Sequence, residues 1–266
     1  MDKKSALVIN LSQEELLVVL AYIGAKKLLG FNYSVSENTT AEEYQSSMKT
    51  AERDLFARGF LVQGENQKFK LNDIVFAIVG ACASPEQTLL IHKVCPQKPS
   101  KDYWFHQSRK MFVLHTIPMT YIHQFISLGG KKALLTSAFS VLEIQGSKTP
   151  GDTSVKIKED IFKKIRDSLQ EGKIDLAKSY LIEAGWKDPT LTRFLSSMQN
   201  PVFSCTISHI IHHPDGDGDI QAFSLLQSIN GLWKFVNEAD QINVMSSDSE
   251  EIFKLISDML SENQTD

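Results

Sequence analysis

Apolar positions in the first half of the chain follow a helical period in some segments and an extended pattern in others. Residues 16–25, LLVVLAYIGA, are apolar on every side of a helix, which indicates a buried helix. Four later segments are rich in β-branched and aromatic residues and have the length of strands. Their links are too short for crossover helices, so we expect an antiparallel meander. The predicted order is a strand at 7–11, helices at 12–29, 40–58 and 72–82 with a hairpin at 60–71, strands at 87–95, 102–107, 110–118 and 120–128, and a helix at 131–142.

Two helix starts in this half carry a capping box, in which an N-cap hydroxyl and a glutamate three residues later bond each other's backbone. Ser12 with Glu15 begins the first helix, and Thr40 with Glu43 begins the second. Glycine commonly follows a helix end, so we expect the first helix to continue to about residue 29 and to end at Gly30.

The second half repeats this order without a repeat at the level of residues. Three helices, each with one apolar face, precede four extended segments and a closing helix. In the third of these helices, Asp188 is the expected N-cap and Pro189 the expected first helical residue. The predicted helices carry their apolar faces at 161–169, 174–184, 191–198 and 252–260, and the predicted strands are 202–211, 221–229, 231–238 and 241–247.

Residues 145–154, QGSKTPGDTS, contain glycine, proline and serine and no apolar residue, which predicts a linker. We therefore expect a single domain made of two pseudo-repeats, residues 1–144 and 155–266. The predicted fold class is α+β, with helices followed by antiparallel strands in each repeat and a central antiparallel sheet flanked by helices. The helix and hairpin at 40–71 make the N-terminal segment winged-helix-like. The alternative is that the order repeats by coincidence.

Composition is that of an ordinary soluble globular protein. The 266 residues are 42% hydrophobic and 23% charged. A net charge of −4 gives no global attraction to nucleic acid or to an anionic membrane. The start of the chain has no signal-peptide pattern, and its longest apolar run is too short to span a bilayer, so we expect a cytoplasmic protein. Three cysteines without a CxxC motif indicate reduced thiols.

Three aspartates, Asp215, Asp217 and Asp219, alternate with glycines in the stretch HHPDGDGDIQ and raise the question of a metal site. Such oxygens can bind Ca²⁺, but an EF-hand loop would need glycine where Ile220 stands and glutamate where Leu226 stands. Glycine and aspartate are also typical of a solvated hairpin tip. We expect a loop without a metal or cofactor, and we count the three aspartates as candidate partner contacts.

Histidines are frequent in the predicted strands. Imidazole clusters bind zinc or transfer protons, but none of these histidines has the spacing of an HExxH motif. We therefore expect isolated histidines at half-exposed strand positions, and no catalytic residue. The histidines concerned are His92, His106, His115, His123 and His209.

An aromatic run, Tyr103, Trp104 and Phe105, follows a loop that contains proline and lysine. Exposed aromatics beside basic residues are typical anchors of protein interfaces. In a strand, Trp104 faces the opposite side from its two neighbours, so we expect at least one of these sets to belong to the core. We count all three residues as candidate partner contacts.

The helix at 41–58 and the hairpin after it have the outline of a DNA-binding winged helix. Residues 41–58 contain three basic and four acidic side chains, so this helix has a net charge of −1, which argues against contact with phosphates. A winged-helix-like transcriptional regulator therefore stays an alternative function, and a metal-dependent enzyme is a second alternative.

In element order the chain resembles the EspG family of cytosolic chaperones from type VII (ESX) secretion systems. The resemblance implies a pseudo-two-fold α+β fold around a central sheet. It also implies a non-enzymatic role, in which the protein binds a helical secreted partner and keeps it soluble before export. No contact motif of the family maps onto this chain, so the resemblance assigns no binding residue. The segments that carry it are LSQEELLVVLAYIG, LFARGFLVQG, NDIVFAIVGA with Ser84 and Pro85, the two strand runs, and EEIFKLISDML.

Overall fold

The computed structural model describes residues 6–33, 39–64, 68–144, 153–213, 216 and 218–261. The helices are α1 (Gln13–Ile23), α2 (Ala41–Ala57), α3 (Asp73–Ala83), α4 (Lys131–Leu142), α5 (Glu159–Gln170), α6 (Ile174–Glu183), α7 (Thr190–Gln199) and α8 (Ser249–Met259). The strands are β1 (Val8–Ser12), β2 (Leu61–Gln63), β3 (Phe69–Leu71), β4 (Gln87–Val94), β5 (Lys101–Ser108), β6 (Met111–Met119), β7 (Ile122–Leu128), β8 (Ser154–Lys158), β9 (Phe203–His212), β10 (Gly218–Ser228), β11 (Gly231–Glu238) and β12 (Gln241–Ser247).

Ten strands form one sheet in the order β1-β7-β6-β5-β4-β9-β10-β11-β12-β8, and β2 pairs with β3 in a separate hairpin. Each half of the chain begins with a strand, continues with three helices and a run of four strands, and ends in a helix. The predicted α+β class, the pseudo-repeat of elements and the winged-helix-like segment are confirmed. None of the described helices is both long enough and apolar enough to cross a membrane.

The first strand of each half pairs antiparallel with the last strand of the run that follows it. β1 pairs with β7, and β8 pairs with β12. β1 was predicted from the sequence, whereas β8 was not, because β8 directly follows the glycine- and proline-containing segment. β8 is a five-residue strand whose Ile157 is buried opposite Ile242. Residues 145–152 of the expected linker lie outside the described residues, while Ser154 is the first residue of β8.

Two compact units are formed by separate stretches of the chain. The first unit comprises Met1–Leu90, Asp102–Thr136 and Ile210–Asp219, and the second comprises Ile91–Lys101, Ser137–His209 and Ile220–Asp266.

In the first unit, α1 and α3 contribute apolar residues to one core with the strand face of β1, β6 and β7. Ile9 lies opposite Phe125 in the pairing of β1 with β7. Leu16 of α1 and Val79 of α3 belong to the same buried cluster, together with Val113 of β6. Burial of each large side chain of this kind contributes about 1.5–3 kcal/mol, so this face is the main source of stability in the unit.

Both predicted capping boxes are present, but the first helix ends earlier than the sequence predicted. The Ser12 side chain accepts from the Glu15 amide, and the Glu15 carboxylate accepts from the Ser12 amide. α1 ends at Gly24, which adopts a left-handed conformation and donates its amide to the Ala21 carbonyl. Gly24 therefore stops the helix one and a half turns before Gly30, because both glycines accept this conformation and the first one is used. Residues 25–33 then leave the helix as an irregular segment.

In the second unit, α5, α6 and α7 form a core with the strand face that carries Leu226, Trp233 and Val244. Trp233 is fully buried, and its indole Nε1 donates to Ser197 Oγ of α7 at 3.0 Å.

The start of α7 differs from the prediction. The N-cap is Pro189, without a side-chain cap, whereas Asp188 was expected there. Asp188 instead accepts a hydrogen bond from Thr192 Oγ1 at 2.6 Å, so its carboxylate bonds the side chain of the first turn and not the backbone.

Candidate functional site

A groove of about 440 Å³ lies in the second unit, lined by α5, α7 and the strand face next to them. Its lining residues are His92 and Val94 of β4, Phe162 and Arg166 of α5, Met198 and Pro201 of α7 and the turn after it, Ser204, Cys205 and Thr206 of β9, Ser224, Leu225 and Leu226 of β10, Phe235 and Asn237 of β11, and Ile242 of β12.

The groove forms where the large side chains of the strand face give way to small ones. On β10, Leu226 lies opposite Trp233, but Ser224, two residues earlier on the same face, lies opposite Phe235. A serine fills far less of the space between sheet and helix than a leucine does. The space that the helices fill with apolar side chains over Trp233 is therefore open over Ser224.

β9 continues this small polar surface. Ser204 and Thr206 alternate with the buried Phe203, Cys205 and Ile207, so they face the other side of the strand. Thr206 is exposed, and Ser204 is half-buried. Small polar residues that alternate with buried ones are a sequence signal for the floor of a groove. The same alternation also fits an ordinary solvent-facing side of a strand, so the groove was not predicted.

Aromatic and aliphatic side chains form the apolar wall. The Phe162 ring of α5 meets the Phe235 ring edge to face, with centroids 5.7 Å apart. Phe235 also contacts Phe194 of the core, at 6.2 Å. Met198 and Ile242 complete this wall, and both are partly buried against the core. The wall is therefore held by the core of the unit and does not depend on a loop.

Polar groups lie along the floor and the rim. Thr206 Oγ1 and Ser224 Oγ are 3.1 Å apart, within hydrogen-bond distance. Arg166 of α5 lines the rim with a side chain that is 55% exposed, and its Nε lies 3.8 Å from Asp167 Oδ1. A guanidinium at this separation, in solvent, is only weakly engaged, so it can meet the carboxylate of a bound partner.

The chemistry of the groove suits non-covalent binding. Cys205 is the cysteine among its lining residues, but its buried side chain lies on the other side of β9 from Ser204 and Thr206. Burial raises the pKa of this thiol to about 12, so it stays protonated at neutral pH. Among the described residues, no group of three or more histidine, cysteine, aspartate or glutamate side chains is placed to hold a metal ion.

Two of the three aromatic residues that we expected at an interface are in the core. Trp104 is 7% exposed and Phe105 is 1% exposed, so both faces of β5 are covered and neither ring is offered to a partner. Tyr103, at the start of the same strand, is half-buried. The expectation of exposed aromatics is therefore wrong for Trp104 and Phe105, and a partner contact stays a prediction for Tyr103.

The acidic tip is described only in part. Asp215 and Asp217 lie outside the described residues. Asp219 is exposed, and its Oδ2 lies 3.1 Å from Nε2 of His213, which is also exposed. A partner contact at these three aspartates stays a prediction, and Asp219 is not part of the groove lining.

The expectation of half-exposed histidines holds for His92, which is half-buried, and is wrong for the other four. His106, His115, His123 and His209 are buried at 0–1% exposure. The first three lie on neighbouring strands and contact each other. The sequence allows each histidine to face the core from its own strand, but only the register between the strands brings the three rings together.

Comparison with known proteins identifies the fold. No protein-family profile matches the sequence, and no curated protein matches it. A solved structure of the Mycobacterium tuberculosis type VII secretion system chaperone EspG5, in complex with the PE25–PPE41 dimer, is similar to this chain. The TM-score is 0.69 and the sequence identity is 11%, over 96% of each chain. The chain therefore has an EspG-like fold, which confirms the fold that the resemblance implied.

Proposed function

We propose that this protein is a non-enzymatic chaperone or adaptor of type VII secretion, which binds a helical segment of a secreted protein in the cytoplasm. The observation that carries the proposal is the likeness to EspG5 over 96% of both chains, because that structure is a complex with a PE25–PPE41 dimer. A protein of this kind needs an apolar surface with a polar rim and no reacting group. The groove of the second unit has these properties.

The groove supports a partner helix with one apolar face. Phe162, Met198 and Phe235 supply aromatic and thioether contacts, and such side chains adapt to aliphatic groups of different shapes. Arg166 at the rim favours a partner with an acidic residue beside its apolar face.

Thr206→Arg tests this proposal at the floor of the groove. Thr206 is exposed, so the substitution places a long cationic side chain in the groove without changing the core. The tagged protein would be expressed in its native host and isolated at moderate salt, and the retained polypeptides identified by mass spectrometry. We expect one dominant helical secreted protein with the native chain, and at least a tenfold weaker binding of it by the variant, as for loss of a central contact of about 1.4 kcal/mol or more.

Thr192→Arg is the matched control. Thr192 is an exposed threonine of α7 in the same unit that does not line the groove, so this variant should bind the partner like the native chain. Equal loss of binding in both variants would remove the groove from the proposal. Retention of no secreted protein by the native chain would contradict the chaperone function itself.

A further inference from the structure

Three buried histidines form a continuous stack in the first unit. We call His106 of β5, His115 of β6 and His123 of β7 the histidine stack. The ring centroids of His106 and His115 are 6.0 Å apart, and those of His115 and His123 are 5.2 Å apart. Strand pairing places Trp104 and Phe125 on either side of His115, at 4.8 and 4.6 Å.

The hydrogen bonds of the stack require unprotonated ring nitrogens as acceptors. Nε2 of His115 and Nδ1 of His123 are 2.9 Å apart, so one nitrogen donates its proton and the other accepts it. When both rings are protonated, neither nitrogen can accept, and the bond is lost. At the other end, Thr88 Oγ1 lies 3.0 Å from both His106 Nδ1 and His212 Nε2. With both of those rings charged, the hydroxyl proton has no acceptor at either nitrogen.

Burial opposes a positive charge on the rings of the stack. Burial first, and then His212, lower the pKa of His106 to about 3. Burial, followed by His106 and His123, holds the pKa of His115 well below its usual range, whereas the Leu29 backbone raises it. Burial lowers the pKa of His123 to about 4.

Three ionisable groups of the surrounding elements are engaged or neutral, and Lys26 and Lys27 of the segment that follows α1 are exposed lysines. Glu15 of α1 is ion-paired with Arg58 at 2.7 Å. Burial raises the pKa of the Cys82 thiol of α3 well above its usual range, so this thiol is uncharged. Burial, followed by Glu14 and Tyr44, raises the pKa of Tyr33, so this phenol is neutral as well. A proton on the stack therefore adds a buried positive charge that these groups do not offset.

An irregular segment packs directly on the stack. Residues 25–33, here called the covering segment, follow α1 and have neither helix nor strand. Phe31 places its ring edge to face on His123, at 5.3 Å between centroids. Gly30 approaches Trp104 so closely that a Cβ atom at this glycine would lie 2.4 Å from the indole ring. The backbone of Leu29 lies close enough to His115 to raise the pKa of its ring. Backbone in such a segment lacks the ladder bonds of a strand, so its attachment depends on these side-chain contacts.

We propose that the histidine stack is an acid-sensitive latch, in which protonation of the rings releases the covering segment from the strand face of the first unit. The rings gain hydration only when the segment above them moves, since the sheet beneath and the helices beside them are fixed by the larger core. Release exposes the apolar ends of α1 and α3 that line the 880 Å³ cavity next to the segment. This latch does not depend on the partner that the groove binds.

Hydrogen exchange of the native full-length chain tests the latch. Exchange of peptides that cover 25–33 and peptides from α5–α7 would be followed by mass spectrometry at pH 7.5 and 5.5, after correction for intrinsic exchange rates. A released histidine with an ordinary pKa of about 6.5 favours the open state about tenfold at pH 5.5, for each ring that takes up a proton. We expect at least this increase in the covering segment, with α5–α7 unchanged.

His123→Gln removes one titrating ring, so the variant should lose about tenfold of this response. His213→Gln, which changes an exposed histidine of the same unit, should keep it. Should His123→Gln not fold, His123→Phe preserves an aromatic contact with Phe31 and is the second test. An unchanged covering segment at pH 5.5, an equal increase in α5–α7, or a full response in the position-123 variant would each overturn the proposal.

Discussion

Substitution of Gly30 by alanine isolates the contact between the covering segment and the strand face. Gly30 has a φ of +78°, and its added Cβ would lie 2.4–2.7 Å from three atoms of the Trp104 ring. Gly24 has nearly the same φ, +77°, but no atom lies within 4 Å of its added Cβ. The pair Gly30→Ala and Gly24→Ala therefore shares the backbone strain and differs in the steric clash.

The left-handed conformation costs an alanine about 1–2 kcal/mol at either position. The reduced entropy of the unfolded chain offsets about 0.4–1 kcal/mol of this cost, equally in both variants. Overpacking against a buried ring adds about 1–3 kcal/mol at Gly30 only, because Trp104 is 7% exposed and has little room to move. We expect Gly24→Ala to lower the free energy of unfolding by about 1 kcal/mol, and Gly30→Ala to lower it by about 2–4 kcal/mol.

Urea denaturation of both variants, followed by far-UV circular dichroism, measures the difference directly. Equal destabilisation would show that Trp104 or the segment moves aside without cost. The covering segment would then not be packed on the indole, and the reasoning from close contact would be refuted.

Three further predictions concern pH, helix capping and thiol reactivity. His106 and His123, with folded-state pKa values of about 3 and about 4, are held neutral in the fold, so their contribution to stability is complete above a pH of about 6.5 and decreases as the pH falls. At pH 5 the free energy of unfolding of the first unit, which holds both rings, should be lower by about 2 kcal/mol for each ring, and urea curves of this unit that coincide at pH 7.5 and 5 would contradict this. Thr40→Ala removes the cap of α2 and should cost about 1 kcal/mol in the same assay, whereas no change would show that this helix start contributes nothing to the folded state. Cys95 is half-buried and the other two cysteines are buried, so Ellman's reagent should modify Cys95 first in the native protein, and equal rates with Cys205 would be inconsistent with the structure.

Element order was predictable because local signals in the two halves agree with the tertiary structure. The capping boxes at Ser12 and Thr40 begin α1 and α2, and the β-branched and aromatic segments form strands. Where two local signals compete, the sequence does not decide between them. Gly24 and Gly30 both allow a left-handed helix end, and only the contact of Gly30 with Trp104 shows that the second glycine serves packing.

The histidine stack was not predictable, because its members come from three strands and meet through register. His123 alternates with half-buried neighbours, whereas His106 and His115 each stand in a run of three buried residues. A shift of one residue in any of these strands would turn its ring to the opposite face. The pattern of a strand shows which residues share a face of that strand. It does not show which residues of a neighbouring strand lie beside them, so contacts between strands could not be predicted.

The groove was missed for a related reason, and this has a consequence for its partner. Ser204, Thr206 and Ser224 are unremarkable in their own strands and form a floor only beside Phe235 of a third strand. At 11% identity, the fold shared with EspG5 rests on the pattern of apolar positions and on side-chain volume, which many sequences satisfy. The floor residues are under no such constraint from the fold, because their small polar side chains contribute little to the core. If the groove binds a helix as proposed, Arg166, Phe162 and the hydroxyl floor of this chain select that helix. The partner therefore has to be sought with this chain and not by analogy with the PE25–PPE41 dimer.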